Sequence, residues 1–96
     1  NNLTPNRFSF RAYPNPFNPL INIYFEQPIG GKILINIINI LGQNITTIEN
    51  DFKSPGIYSF SWDGKNNNGT TVQSGIYFAT ITSKSYQHIL KITYLK

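Results

Sequence analysis

The sequence predicts an all-β domain built as a sandwich of antiparallel strands. Apolar and polar residues alternate in several short segments, which is the pattern of strands with one buried face. Turn-forming residues separate these segments at intervals of about 8–12 residues. No segment of helical length shows apolar residues at i, i+3 and i+4. Short strands with turn signals between them are typical of a β-sandwich.

Two strands are predicted in the first half of the chain, over residues 20–26 and 32–40. Their inward-facing residues are predicted to be Ile21, Ile23, Phe25, Ile33, Ile35 and Ile37. Asn36 and Asn39 cannot both point outward under strict alternation. We therefore expect a bulge near Ile38, where one strand carries an extra residue.

Four further strands are predicted in the rest of the chain. They cover residues 44–49, 57–62, 75–82 and 87–95. The turns that precede them contain Gly42 and Gln43, then residues 54–56, 63–69 and 83–85. In residues 57–62 the side chains of Tyr58, Phe60 and Trp62 fall on one face, and we expect Trp62 to cover one end of the core.

The N-terminal part contains a proline-rich segment. Residues 1–12 are predicted to be a linker or a first edge strand, and the main domain to cover residues 13–96. Three prolines within residues 13–19 remove backbone donors and favour extended geometry, so the segment cannot join a central strand. We expect it to lie along the sandwich edge, pinned to the core by Tyr13 and Phe17. The alternative, a ligand for an aromatic groove, lacks regular polyproline II spacing.

The composition provides few side chains that could act in catalysis. The 96-residue chain has no cysteine, one histidine and four acidic residues, so disulfide and thiolate chemistry are excluded. His88 has no nucleophile and acid at a recognisable triad spacing, and the acidic residues form no pair suited to glycoside hydrolysis. We therefore expect one domain with no enzymatic activity, no cofactor and no metal.

The positive charge is spread along the chain. Eight basic residues against four acidic ones give a net charge of +4. Nucleic-acid-binding domains usually cluster basic residues on one face, so we expect no nucleic-acid partner. No apolar run approaches the length of about 20 residues that a membrane-spanning helix needs, so we expect no membrane insertion.

The polar segment of residues 63–69 invites comparison with a calcium loop. An EF-hand loop needs oxygen ligands at positions 1, 3 and 5, glycine at position 6 and glutamate at position 12. Here Lys65, Asn68 and Ser74 stand at positions 3, 6 and 12. We therefore expect a turn in which Asp63 caps backbone N–H groups and Gly64 supplies a positive φ, as does Gly69.

Five motifs occur in order between residues 13 and 96. They are Tyr13-Pro14-Asn15-Pro16-Phe17-Asn18-Pro19, Ile37-Ile38-Asn39-Ile40-Leu41-Gly42-Gln43, Trp62-Asp63-Gly64-Lys65-Asn66 with Gly69 and Val72, Ser74-Gly75-Ile76-Tyr77-Phe78, and Lys91 with Lys96. Together they resemble the C-terminal sorting domains of type IX secretion cargo. Those domains are related to the immunoglobulin-like domain of the flagellar hook-capping protein.

The resemblance implies a fold and a function. The fold is a seven-stranded antiparallel immunoglobulin-like β-sandwich, with residues 13–96 as the sorting domain. The function is to direct secretion and cell-surface attachment of a larger exported protein of a Gram-negative bacterium. The implied partners are the outer-membrane secretion machinery, a sortase-like protease and an upstream cargo domain of the same chain. The implied location is outside the cell or on the outer-membrane surface.

The resemblance also assigns roles to residues. Those implied in recognition of the sorting signal are Gly75, Tyr77, Lys91 and Lys96. Those implied as structural are Tyr13, Pro14, Asn15, Pro16, Phe17, Gly42, Trp62, Asp63 and Gly64. Two other functions stay open. An accessory module could bind polysaccharide through an outward aromatic residue such as Tyr86, and a plain spacer would bind nothing.

Overall fold

The computed structural model describes residues 5–96, which form seven strands in two antiparallel sheets. The strands are β1 (Ser9–Tyr13), β2 (Ile21–Gln27), β3 (Gly31–Ile38), β4 (Asn44–Lys53), β5 (Gly56–Trp62), β6 (Gly75–Thr82) and β7 (Gln87–Tyr94). The predicted seven-stranded immunoglobulin-like β-sandwich is confirmed. Of the segment predicted as a linker or edge strand, residues 1–4 lie outside the described residues, and β1 begins at Ser9.

The two sheets have different sizes. One contains three strands in the order β1-β2-β5, and the other contains four in the order β4-β3-β6-β7. The central strands are therefore β2 in the first sheet and β3 and β6 in the second. These strands contribute most of the core because their inward side chains are covered by the opposite sheet.

Alternation places the core residues as predicted. Ile21, Ile23 and Phe25 of β2 are fully buried, and the inward residues of β3, Ile33, Ile35 and Ile37, are buried as completely. Tyr77, Ala79 and Ile81 of β6 are also buried, beside the inward residues of β3 in the same sheet and opposite those of β2. Gln27 is the one buried polar residue in the described part of the chain, and its Nε2 donates to the Lys53 carbonyl at 2.9 Å.

Strand β4 differs from its prediction in length and register. It continues to Lys53 rather than ending at residue 49, because its polar second half forms a solvated sheet edge. The register with β3 shifts twice, so that Ile45 and Ile48 of β4 have no partner across the ladder. Both side chains pack against the core. The irregularity expected near Ile38 exists, but β4 carries the extra residue.

The described residues contain no helix that is long and apolar enough to cross a membrane.

Candidate functional site

The sequence motifs meet at one end of the sandwich. Antiparallel strands alternate in direction, so the ends of β1, β3, β5 and β7 lie beside the starts of β2, β4 and β6. We call this end the motif end; it comprises residues 13–20, 39–43, 62–75 and 94–96. Every one of the five motifs places at least one residue there.

Four aromatic rings close the core at the motif end. Phe17, Trp62, Tyr77 and Tyr94 are each at least nine-tenths buried. The Trp62 ring centroid lies 5.5 Å from that of Phe17 and 5.4 Å from that of Tyr77. The Phe17 and Tyr94 rings stack at 5.0 Å. The predicted role of Trp62 in covering the end of the core is confirmed. Nothing in the sequence indicated that Tyr94 joins this cluster at the end of the core.

The turn after Trp62 is fitted closely against this cluster. The Trp62 indole N–H donates to the Lys65 carbonyl at 2.9 Å, and the Lys65 amide donates to Asp63 Oδ1 at 3.2 Å. Gly64 is buried and has a φ of +77°. A Cβ at Gly64 would lie 2.6 Å from Cζ of Tyr94. Glycine is therefore required here both for backbone conformation and for space, and the predicted turn is confirmed.

The proline segment runs along the outer edge of β7. We call residues 14–19 the strap. The Phe17 amide donates to the Thr93 carbonyl at 2.9 Å, and the Leu95 amide donates to the Phe17 carbonyl at 3.1 Å. The Asn15 side chain donates to the Lys91 carbonyl and accepts from the Thr93 amide, both at 2.9 Å. The predicted edge position is thus confirmed.

The expected anchoring by Tyr13 is wrong. Phe17 alone enters the core, whereas Tyr13 is 49% exposed and its ring stacks on that of Tyr24 at 4.9 Å on the outer face of the three-stranded sheet. Side chains in a strand point alternately to its two faces. Tyr13 is the last residue of β1 and lies on the same outward face as Arg11. Pro14 and Pro16 are exposed parts of the strap.

The turn between β3 and β4 is held by one side chain. Asn39 Oδ1 accepts from the amides of Leu41 and Gln43 at 2.9 and 3.0 Å, and Asn39 Nδ2 donates to Gln43 Oε1 at 2.9 Å. Gly42 has a φ of +80° and donates its amide to the Asn39 carbonyl. This network gives Asn39, Gly42 and Gln43 of the motif a shared structural role in the turn.

The four residues implied in recognition take different positions. Lys91 and Lys96 are exposed, on β7 and just beyond it. The Lys96 amide donates to Ser74 Oγ at 2.9 Å, so the segment after β7 is held against the start of β6. Tyr77 is buried, and its hydroxyl donates to the Gln73 carbonyl at 2.7 Å. Burial raises the pKa of the Tyr77 hydroxyl above its usual range.

A shallow groove lies beside Lys96. It has a volume of about 440 Å³ and is lined by Asn39, Ile40, Gln73, Ser74, Gly75, Ile76 and Tyr77. Gly75 and Tyr77 therefore share a surface with the Asn39 turn and with the residue that binds the Lys96 amide. The structure brings Gly75, Tyr77 and Lys96 together and leaves Lys91 further along β7.

Tyr86 does not form an outward aromatic platform. Its side chain is half-buried, and its ring stacks on that of Phe8 at 4.8 Å. Burial raises the pKa of its hydroxyl. The expectation that Tyr86 points outward to stack on a sugar is therefore wrong, because the turn before β7 folds it over the opposite end of the core.

Comparison with known proteins assigns the domain type. Residues 21–87 match the FlgD Ig-like domain. The chain belongs to this family. It is similar to the basal-body rod modification protein FlgD of Salmonella typhimurium, with 33% identity over 63 residues that cover 66% of this chain and 27% of that protein. The Salmonella typhi protein of the same name gives the same values. The chain thus spans about a quarter of the length of these curated relatives.

A solved structure supports the fold. A region of dimeric latent PorU from Porphyromonas gingivalis superposes with a TM-score of 0.69 and 13% sequence identity. The match covers 90% of this chain and 9% of PorU. At 13% identity, this likeness shows that the PorU region and the present chain share a fold.

Proposed function

We propose that this chain is a non-enzymatic module that directs the secretion and cell-surface attachment of a larger exported protein. The observation that carries the proposal is the convergence of five separate motifs on one end of the sandwich. Side chains from three of these motifs contact β7 or the segment after it, namely Asn15, Phe17, Trp62 and Ser74. Lys91 and Lys96 stay exposed. The proposed partners are the outer-membrane secretion machinery and a sortase-like protease, with the cargo in the same chain.

The proposed recognition depends on a rigid surface more than on any single pocket. The Phe17 and Tyr94 rings fix the end of β7 from one side, and the bond between the Lys96 amide and Ser74 fixes the next segment from the other. A pre-ordered surface loses less conformational entropy on binding than a flexible tail does. The module would therefore present its lysines in a fixed geometry to the secretion machinery.

The test compares two pairs of lysines in a reporter fused to residues 1–96. Lys91→Ala with Lys96→Ala changes the proposed recognition surface. Lys32→Ala with Lys84→Ala is the matched control, since these exposed lysines lie at the opposite end of the sandwich. In a host with type IX secretion, we expect surface delivery to fall strongly for the first pair and to persist for the second. Equal delivery of both fusions would refute the proposed role of Lys91 and Lys96.

Substitution is a sharper test than deletion of the last strand. Deleting β7 would remove Ile92 and Tyr94, which are both core residues, and the module would unfold. Loss of delivery after such a deletion could not separate loss of recognition from loss of the fold. The two lysine pairs are exposed, so circular dichroism is expected to show that both variants fold like the parent.

A second candidate function follows from the relatives. Identity of 33% to a protein named for basal-body rod modification favours an assembly module within a longer protein of that type. The test is to replace the matching segment of the Salmonella typhimurium protein with this chain. Retained basal-body assembly, together with no delivery of the reporter, would favour this function over secretion.

A further inference from the structure

The outer edge of β7 is covered over only part of its length. The strap bonds to backbone groups of Lys91, Thr93 and Leu95, which shows that the odd-numbered residues of β7 direct these groups away from β6. By the same alternation, Gln87 and Ile89 direct their N–H and C=O groups to the outer edge. The strap therefore closes the second half of this edge. Along the first half, Phe10 of β1 packs on His88 with ring centroids 6.3 Å apart, but within residues 5–96 no backbone group outside β6 bonds to Gln87 or Ile89, so these groups stay open for pairing.

An open strand edge is a template for pairing with another chain. We propose that the strap is an edge cover, and that without it the outer edge of β7 pairs antiparallel with β7 of a second copy of this chain. With the strap in place, the Lys91 carbonyl is occupied by Asn15, so the open edge is too short to hold a second strand. Once the strap is released, the edge is open from Gln87 to Leu95.

The sequence of β7 indicates the register of this pairing. Two identical antiparallel strands must pair about a two-fold axis. Centring the axis on Ile89 places two exposed isoleucines opposite each other and pairs Gln87 with Lys91 of the second copy. Centring it on Lys91 would place two like charges directly opposite, which is destabilising. We therefore expect the pairing about Ile89. In this pairing the Lys91 carbonyl must accept a hydrogen bond from the backbone amide of Gln87 in the second copy.

The experiment loosens the strap at Asn15 and leaves the backbone hydrogen bonds of Phe17 in place. Pairing about Ile89 requires only that the Lys91 carbonyl is freed. Asn15→Ala removes the bonds to the Lys91 carbonyl and the Thr93 amide. Asn18→Ala is the matched control, because Asn18 lies in the same strap and makes no side-chain hydrogen bond within residues 5–96. We expect purified Asn15→Ala to dimerise in a sedimentation concentration series while the parent and Asn18→Ala stay monomeric. In the monomer of the Asn15→Ala variant, hydrogen exchange of the Thr93 amide should accelerate roughly 2- to 12-fold, as expected for the loss of one hydrogen bond.

A second substitution tests the register. Ile89→Lys in the Asn15→Ala background places two positive charges at the proposed axis, and we expect the monomer to return. A dimer that survives Ile89→Lys would overturn the proposal, as would Asn15→Ala remaining monomeric at every concentration or Asn18→Ala dimerising equally. If Asn15→Ala does not fold, Asn15→Asp keeps the acceptor for the Thr93 amide and removes the donor to Lys91. These outcomes concern self-association of the purified chain, so they do not depend on the proposed secretion role.

Discussion

Substitution of Gly64 by alanine tests how the motif end is assembled. The new Cβ would lie 2.6 Å from Cζ of Tyr94 and 2.9 Å from both Cε2 and the hydroxyl oxygen of that ring. Tyr94 cannot easily move away, because it is 5% exposed and stacks on Phe17. The substitution therefore forces either the ring or the turn out of position.

The expected cost has two physical parts. Alanine at the left-handed φ of Gly64 costs about 1–2 kcal/mol. Overpacking a dense core costs about 1–3 kcal/mol more. The total of roughly 2–5 kcal/mol is a large share of the ~5–15 kcal/mol that holds a small domain folded. For a domain of this size it corresponds to a fall in Tm of roughly 8–40 °C.

The assay is urea or thermal unfolding followed by circular dichroism, with Gly69→Ala as the matched control. Gly69 has a similar φ of +80°, but a Cβ there would meet no atom within 4 Å. We expect Gly69→Ala to cost only the backbone part, about 1–2 kcal/mol. The difference between the two variants isolates the contact with Tyr94. If Gly64→Ala is no less stable than Gly69→Ala, the close fit between the turn and the aromatic cluster is not a stabilising feature.

Two further predictions concern the turns that the motifs build. Asn39→Ala removes the acceptor for the Leu41 and Gln43 amides and should lower the free energy of unfolding by about 1–2 kcal/mol in a urea titration. Asn44→Ala, an exposed neighbour, should change it by less than about 0.5 kcal/mol, and equal effects would contradict the role of Asn39. Tyr77→Phe loses the hydrogen bond to Gln73 and should cost about 0.5–1.5 kcal/mol at neutral pH. Burial raises the pKa of Tyr77, so the folded state holds this proton more tightly than the unfolded state, and the resulting stability is lost as pH rises above about 10. Unfolding measured across that range should therefore show a shallower decline for Tyr77→Phe than for the parent, and parallel curves would show that Tyr77 contributes nothing to the alkaline decline.

The central strands could be predicted from the sequence because burial enforces alternation there. In β2 and β3 every second residue is fully buried, so a shift by one residue would expose the whole apolar face. The edge strand β4 was predicted too short because one of its faces is solvated and tolerates polar residues such as Asn50 and Asp51. Its two register shifts depend on packing of Ile45 and Ile48 and leave no clear periodic signal.

The candidate site was less predictable, because it depends on which aromatic residue turns inward. Tyr13 and Phe17 belong to one motif, yet only Phe17 enters the core. That choice depends on where β1 ends and the strap begins, which composition does not determine. The contact between Gly64 and Tyr94 joins distant parts of the chain and could not be inferred from either motif alone. The order of the motifs indicated the family resemblance, but not that Gly64 and Tyr94 touch.

The bonds between the strap and β7 join residues that are far apart in the chain. Asn15 contacts Lys91 and Thr93, at separations of 76 and 78 residues. During synthesis, the aromatic cluster that contains Phe17 and Trp62 cannot be completed until Tyr94 has been added to the chain. A chain interrupted before Ile92 would keep its apolar surfaces exposed to proteases and chaperones. The core can therefore close only after β7 has been synthesised, because Ile92 and Tyr94 belong to that strand.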